Sequence, residues 1–185
     1  MEERPVCRCG WCVQSDPLYV SYHDREWGVP LHDDRALFEL LVLETFQAGL
    51  SWRTVLHKRA AFRAAFDGFD WEEVARYGPD KLAALVEDAS IIRNRRKIEA
   101  AVVNARVFRQ IRAERGTFDR YLWGFTGGET VYETGRTSSP LSGAVASDLR
   151  RRGMRFTGTT VVYAYLQSAG VVYSHDPGCF LYREG

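Results

Sequence analysis

Pro79-Asp80-Lys81-Leu82-Ala83-Ala84-Leu85-Val86-Glu87-Asp88-Ala89-Ser90-Ile91-Ile92-Arg93-Asn94-Arg95-Arg96-Lys97-Ile98 reads as two helical patterns joined by a basic turn. Gly78-Pro79 opens the first, because proline suits the first helical position, and Leu82, Leu85, Val86 and Ala89 follow as its inward residues. Asn94 can cap the second, in which Ile98, Ala101, Val102, Ala105, Phe108 and Ile111 keep an apolar stripe as far as Gly116. Such a hairpin, over about residues 79–113, presents free backbone N–H groups at the start of its second helix. With Arg93, Arg95, Arg96 and Lys97 beside them, those donors suit a phosphate. This is the arrangement of a helix–hairpin–helix DNA-binding element, although any antiparallel helix pair with a basic turn looks similar.

On the N-terminal side, Asp33 to Gly49 reads as a helix with Leu37, Leu40 and Leu41 inward. Glu44 lies four residues after Leu40 and three after Leu41, so it continues the apolar face, whereas Glu39 can point to water. An inward carboxylate must be paired, protonated or placed at the wall of a cavity. The tight break Gln47-Ala48-Gly49-Leu50-Ser51-Trp52 comes next, and Ser51 can cap a helix carrying Val55, Leu56, Phe62 and Phe66 on one face. Asp70 and Glu73 have capping-box spacing for a short helix.

Beyond Gly116 the pattern gives a short helix from Thr117 to about Phe125, a Gly/Thr/Ser-rich loop over 126–141, and helices over about 142–152 and 158–169. Strand alternation and internal repeats are absent. The expected fold is all-α, a bundle of about eight helices with irregular ends, forming one unit over residues 1–185.

Composition narrows the function. At 45% hydrophobic residues the chain can build a core, and 13% aromatics exceed what that core needs, which suits a pocket for a flat ligand. The formal net charge of +1 gives no global attraction for nucleic acid. Two local clusters do: Arg93, Arg95, Arg96 and Lys97, and then Arg150, Arg151, Arg152 and Arg155. No run approaches the ~18 apolar residues of a membrane span. The first ten residues, with Glu2, Glu3 and Arg4, lack the apolar centre of a secretory leader. A cytoplasmic, reducing location is expected, where cysteines serve as thiols or metal ligands.

Cys7, Cys9 and Cys12 cluster near the start with His23 after them, and His175 and Cys179 stand near the end at H-x3-C spacing. Thiolate and imidazole together suit tetrahedral zinc. A mixed Cys2His2 site would tie the two ends of the chain and constrain the unfolded state by about 4–5 kcal/mol. Spacing leaves open which N-terminal thiol takes part, and free thiols with unrelated histidines fit as well. His32 and His57 have no ligand-type neighbours and read as surface or capping residues.

Taken together, these segments resemble the 3-methyladenine DNA glycosylase I family of the helix–hairpin–helix superfamily. The resemblance rests on Arg8-Cys9-Gly10-Trp11, Asp16-Pro17-Leu18-Tyr19, Tyr22-His23-Asp24-Arg25-Glu26-Trp27-Gly28-Val29-Pro30 and Gln47-Ala48-Gly49-Leu50-Ser51-Trp52. Further on come Ile91-Ile92-Arg93-Asn94-Arg95 with Lys97-Ile98, Gly158-Thr159-Thr160, and His175 with Gly178-Cys179. It implies a helix–hairpin–helix glycosylase-like fold and a monofunctional hydrolase that flips 3-methyladenine out of double-stranded DNA. The free base would be released without strand cleavage.

The resemblance further implies one structural zinc on Cys9, His23, His175 and Cys179, bound by terminal segments at about 7–24 and 173–180. It assigns the base pocket to Trp11, Tyr22, Glu44 and Trp52 with Tyr19 and Trp27 close by, Glu44 being the functional carboxylate. It places Leu50, at the tip of the Gly49-Leu50 turn, in the gap left by the flipped nucleotide, and leaves Lys97 as a phosphate contact.

Three positions depart from the family pattern. Thr45 stands where glycine is usual, which would narrow the pocket, and Ser90 replaces a hairpin glycine, with Arg96 as an added charge. A non-catalytic lesion-binding protein, or a glycosylase for another N3-alkylated purine, would use the same scaffold. A monomer with no membrane association is expected.

Overall fold

The computed structural model describes residues 6–184. Glu2, Glu3 and Arg4, on which the leader expectation rests, lie outside the described residues. Among those described there are nine α-helices: α1 (Pro17–Arg25), α2 (Asp34–Gln47), α3 (Trp52–Ala65), α4 (Trp71–Ala75), α5 (Pro79–Glu87), α6 (Arg95–Arg115), α7 (Phe118–Trp123), α8 (Pro140–Arg151) and α9 (Thr159–Ser168). The predicted caps form. Ser51 accepts from Thr54 N–H, Asp70 from Glu72 and Glu73 N–H, and Asn94 from Lys97 N–H. α8 starts two residues earlier than expected because Ser139 and Ser142 form a reciprocal capping box around Pro140. Ala89, expected inward, is exposed, since α5 ends at Glu87.

Two features correct the sequence reading. The N-terminal segment is not wholly irregular: Asp16 caps α1 through Tyr19 N–H, with Pro17 in the first turn. The fold is also not purely helical. Val131–Tyr132 (β1) and Val172–Tyr173 (β2) pair in parallel, with Val131 opposite Val172 and Tyr132 opposite Tyr173. Two residues per strand are too few to show a period of two.

α2 sits at the centre, packed on α3, α6, α7 and α9, and every residue from Leu37 to Phe46 is buried. A helix enclosed on all sides has no outward face. Glu39 therefore does not point to water. It is buried, and its Oε1 accepts from Arg59 Nε at 2.5 Å and Arg63 Nε at 2.9 Å. Breaking such a pair by removing one partner typically costs about 3–5 kcal/mol.

The hairpin of α5 and α6 is present, and its turn is held to α3 by Lys58 Nζ, which donates to the carbonyls of Ala89 and Ser90. Arg93, Arg95 and Arg96 are exposed at the start of α6. Lys97 departs from the expected phosphate contact. It is only 6% exposed, and its Nζ donates to Phe46 O at 2.8 Å and Ala48 O at 2.6 Å. Its charge thus satisfies the open C-terminal carbonyls of α2, directly before Gly49. The second basic run is likewise partly neutralised, because Arg151 pairs with Asp148, and Arg152 with Asp148 and Glu114.

Lys97→Met keeps the stem and removes the donors. Urea unfolding should show a loss of about 1.5–3 kcal/mol, the worth of hydrogen bonds to a charged group. An unchanged midpoint with a weaker salt dependence of DNA binding would instead fit a surface phosphate contact.

Candidate active site and metal centre

A cavity of about 200 Å³ opens between α1, α2, α3 and α9, lined by Trp11, Tyr19, Tyr22, Trp27, Glu44, Gln47, Trp52, Ala164, Gln167 and Ser168. It gathers all six residues expected in the pocket. Trp11 meets Trp27 edge-on at 4.8 Å and Tyr19 at 5.4 Å between ring centroids, and Tyr22 meets Trp52 at 5.2 Å. A cavity this small, below the ~300–1,000 Å³ of drug-sized sites, suits one flat group.

Glu44 enters the cavity from the last turn of α2 and is 2% exposed. Its Oε1 accepts from the Ser168 hydroxyl at 2.6 Å, and Ser168 Oγ is 2.9 Å from the Tyr22 hydroxyl. Glu44 Oε2 and Trp52 Nε1 have no partner, one an acceptor and one a donor on residues of the same cavity. Burial pushes the Glu44 carboxyl up to about 8, opposed only by the Ser168 hydrogen bond. Burial without a countercharge therefore favours its neutral form at pH 7. Desolvation, not an arginine, governs its state; the arginine pairing falls to Glu39 instead.

A neighbouring cavity of about 210 Å³ shares Glu44, Gln47 and Ala164 and continues to Gly49, Leu50, Thr160 and Val161. Leu50 is 43% exposed at this rim. The turn that lifts it depends on Gly49 at φ +82°, a left-handed conformation that glycine adopts without strain. Thr45 does not line either cavity. It is buried with its hydroxyl donating to Val42 O, so it does not narrow the pocket. Ser90 is exposed, and both its N–H and its hydroxyl donate to Asp88 Oδ1. A larger cleft of about 310 Å³ under Arg115, Arg120 and Arg152 contains none of the expected pocket residues.

Gln47, Ala164, Gln167 and Ser168 escaped the sequence reading. The one signal was the polar pair Gln167-Ser168 ending an otherwise apolar helix. What presses that helix end onto the pocket is a backbone approach: Gly28 N–H donates to Gln167 O and Leu31 N–H to Ala169 O. Gly170, at φ +70°, has no room for a Cβ, which would overlap the backbone of Val29 and Pro30.

Beside the pocket, Cys9, His23, His175 and Cys179 converge, all buried, with ligand atoms within 4.8 Å of one another. Cys9 Sγ lies 3.4 Å from His175 Nδ1, and Cys179 Sγ lies 3.5 Å from His23 Nε2 and 3.6 Å from His175 Nδ1. Tetrahedral zinc bonds of ~2.3 Å to sulfur and ~2.1 Å to nitrogen would separate S and N by about 3.6 Å. The cluster therefore has the size of a metal site.

The surrounding groups fit as well. His23 Nδ1 is 2.7 Å from Asp24 Oδ1, and Arg8 in turn holds Asp24. Asp176 N–H and Leu181 N–H point at Cys9 and Cys179 sulfur. Burial pushes the His175 imidazole down to about 4, the neutral form a ligand needs, and pushes the Cys9 thiol up to about 12, so its proton would have to be displaced by a bound cation. Cys7 is exposed and Cys12 is buried nearby, and neither joins the four. The cluster also braces the pocket, since Trp27 packs on His175 at 4.7 Å and Trp11 on His23 at 5.2 Å.

Comparison with known proteins accords with this geometry. A sequence model of the methyladenine glycosylase family matches residues 11–182. DNA-3-methyladenine glycosylase 1 of Escherichia coli (strain K12) is 44% identical over 181 residues, covering 95% of this chain and 96% of the relative. A crystal structure of a 3-methyladenine DNA glycosylase I superposes with a TM-score of 0.91 at 42% identity, over 96% of this chain and 100% of that one. The Staphylococcus aureus enzyme, solved for the structural basis of its 3-methyladenine recognition, gives 0.90 at 32% identity, over 97% and 100%. With the family matched across nearly the whole length and the aromatic cavity in place, this chain belongs to the methyladenine glycosylase family.

Proposed function

We propose that the chain is a DNA repair hydrolase that excises 3-methyladenine from alkylated DNA. The observation that carries this reading is a buried carboxyl, Glu44, with an unpartnered oxygen inside an aromatic-walled cavity. A neutral ligand would leave that carboxyl unchanged. A cationic ring supplies the missing countercharge, ionises Glu44 and gains attraction from the aromatic walls. 3-Methyladenine in DNA is such a ring, and its exocyclic amine donates to a carboxylate. Stacking at ~1–3 kcal/mol and a charge-assisted hydrogen bond at ~1.5–3 kcal/mol are enough for selection over unmodified adenine.

The chemistry then asks little of the protein. The methylated base departs with the electron pair of its glycosidic bond, which cancels its charge, and a water oxygen bonds to the sugar carbon and gives up a proton. Among the described residues Glu44 is the one carboxylate of the cavity, and no lysine lines it. Lys97 is engaged by the carbonyls of α2. Both facts support a monofunctional glycosylase without lyase activity. Leu50 at the cavity rim suits the role of filling the space vacated in the duplex, and Arg93, Arg95 and Arg96 suit phosphates flanking the lesion. The protein acts as a monomer in the cytoplasm, where reduced thiols are available.

The Cys9, His23, His175 and Cys179 cluster would hold one zinc ion, which would supply structural cross-linking of the two terminal segments. Four protein ligands are the number that structural zinc sites use.

Methylated DNA incubated with the wild-type protein should release 3-methyladenine. Glu44→Gln should lose activity by at least ~10–100-fold, the value of one charge-assisted hydrogen bond. Full activity in Glu44→Gln would remove the recognition role. Metal analysis of protein purified without added zinc should give one zinc per chain, lost in His23→Ala and Cys179→Ser and kept in Cys12→Ser. Metal-free wild-type protein would dismiss the site.

Burial of Glu44 also sets a pH signature. An acid whose folded value is raised holds its proton in the folded chain after the unfolded chain has released it. Its contribution to stability therefore falls as pH rises from about 4.5 to about 8. Glu44→Gln should raise the melting temperature more at pH 8 than at pH 5; an equal shift at both would contradict the raised value.

A further inference from the structure

Tyr22, Ser168 and Glu44 are all buried and lie in a row: Tyr22 hydroxyl to Ser168 Oγ, 2.9 Å, and Ser168 Oγ to Glu44 Oε1, 2.6 Å. A hydroxyl has one proton to give. Among the described residues Ser168 Oγ is the one acceptor within reach of the Tyr22 hydroxyl, so Tyr22 donates to Ser168 and Ser168 donates to Glu44 Oε1. The row is directional, and it ends on Oε1 while Oε2 stays open.

Resting on the base-pocket reading above, we infer that Ser168 is a positioning residue for base recognition: aligned by Tyr22, its hydroxyl occupies Oε1 of Glu44, so that Oε2 both meets the base and takes up or releases the carboxyl proton. Ionised, Oε2 accepts from the exocyclic amine of a cationic purine. Neutral, it carries the proton and meets that amine donor against donor. Without Ser168 the proton of neutral Glu44 is free to sit on Oε1, and Oε2 then accepts from a neutral adenine as well. The relay therefore ties recognition to charge, and a hydroxyl donating to the carboxylate favours the ionised form against burial.

No other titrating group competes. Tyr19 and Tyr22 of α1 line the cavity with Glu44, and Tyr165 of α9 turns its hydroxyl to Leu37 O; all three are raised further above their ordinary range, mainly by burial. Arg59 of α3 is engaged by Glu39 and Glu26, and Lys97 of α6 by the last carbonyls of α2. On α7, Asp119 lies at the opposite end of α2, its N–H donating to Asp34. Behind Ser168 a second cavity of about 230 Å³, lined also by Leu40, Val29 and Arg59, leaves room for one added methyl group.

The test titrates the Glu44 side chain by NMR in protein carrying carbon-13 glutamate and assigned with Glu44→Gln, and measures at pH 7 the affinity for a 3,9-dimethyladeninium cation, which keeps the ring charge that the free base loses. Ser168→Ala should raise the Glu44 midpoint by about one to two pH units and weaken affinity about 10–100-fold, the worth of one hydrogen bond to a charged group. Ser168→Thr should restore both, and Tyr22→Phe, which leaves the serine hydroxyl unaligned, should shift the midpoint less in the same direction. A purely structural serine would change melting temperature without moving the midpoint.

An unmoved midpoint in folded Ser168→Ala overturns the inference. If Ser168→Ala does not fold, a wild-type midpoint in Tyr22→Phe overturns it instead. If the wild-type protein does not bind the 3,9-dimethyladeninium cation while the midpoint still moves, the base-pocket reading fails and the relay stands.

Discussion

A carboxyl enclosed on every side and given no countercharge is a constraint that the surrounding elements must all satisfy. Glu44 sits where α2 leaves the core, and its neighbours offer a hydroxyl and aromatic rings but no cation. The contrast with Glu39, one and a half turns earlier on the same helix, shows what the fold does with a carboxylate it means to neutralise. It brings Arg59 and Arg63 from α3. Both glutamates are buried, at similar depth, in one protein. One pair of charges is closed, and the other is left half open, which is an energetic cost a stable core would avoid and a binding site can use.

Holding that geometry requires parts far apart in the chain. α9 brings Ser168 to Glu44 only because Gly170 lets its C-terminus lie against Val29 and Pro30. α1 brings Tyr22 and Tyr19, and its position is fixed by the meeting of Cys9 and His23 with His175 and Cys179. The aromatic walls lean on the imidazoles of that cluster. On the other flank, Lys97 anchors the end of α2 immediately before the Gly49-Leu50 turn. The hairpin and the rim of the cavity are thus joined through one buried ammonium group.

Much of this was legible in the residues. Caps at Ser51, Asp70 and Asn94 and the apolar stripe of α6 announced their helices, because local hydrogen bonds and periodicity decide them. The Asp16-Pro17 cap was equally readable, and α1 went unseen only because a short helix with mixed faces has no stripe. β1 and β2 are too short to alternate. Within the site, the six pocket residues follow from motifs, but Ser168 and the true environments of Glu39 and Lys97 do not. These depend on what packs against a helix from outside it, and α2 is enclosed all round, so its own sequence carries no outward face from which to judge. Sequence spacing left three N-terminal thiols in competition; the fold of residues 7–12 brings Cys9 alone into the cluster.

The division of the pocket between the two ends of the chain bears on how the protein is made. Translation delivers the N-terminal elements first. Trp11, Tyr22, Glu44 and Trp52 emerge early, but the wall from Ala164 to Ser168 and the thiol of Cys179 emerge last. The wall from Ala164 to Ser168 is therefore missing from the cavity until synthesis has passed residue 168, and the four-residue cluster until it has passed residue 179. A truncated product that stops short of residue 164 has the aromatic residues of the pocket without the wall that faces them.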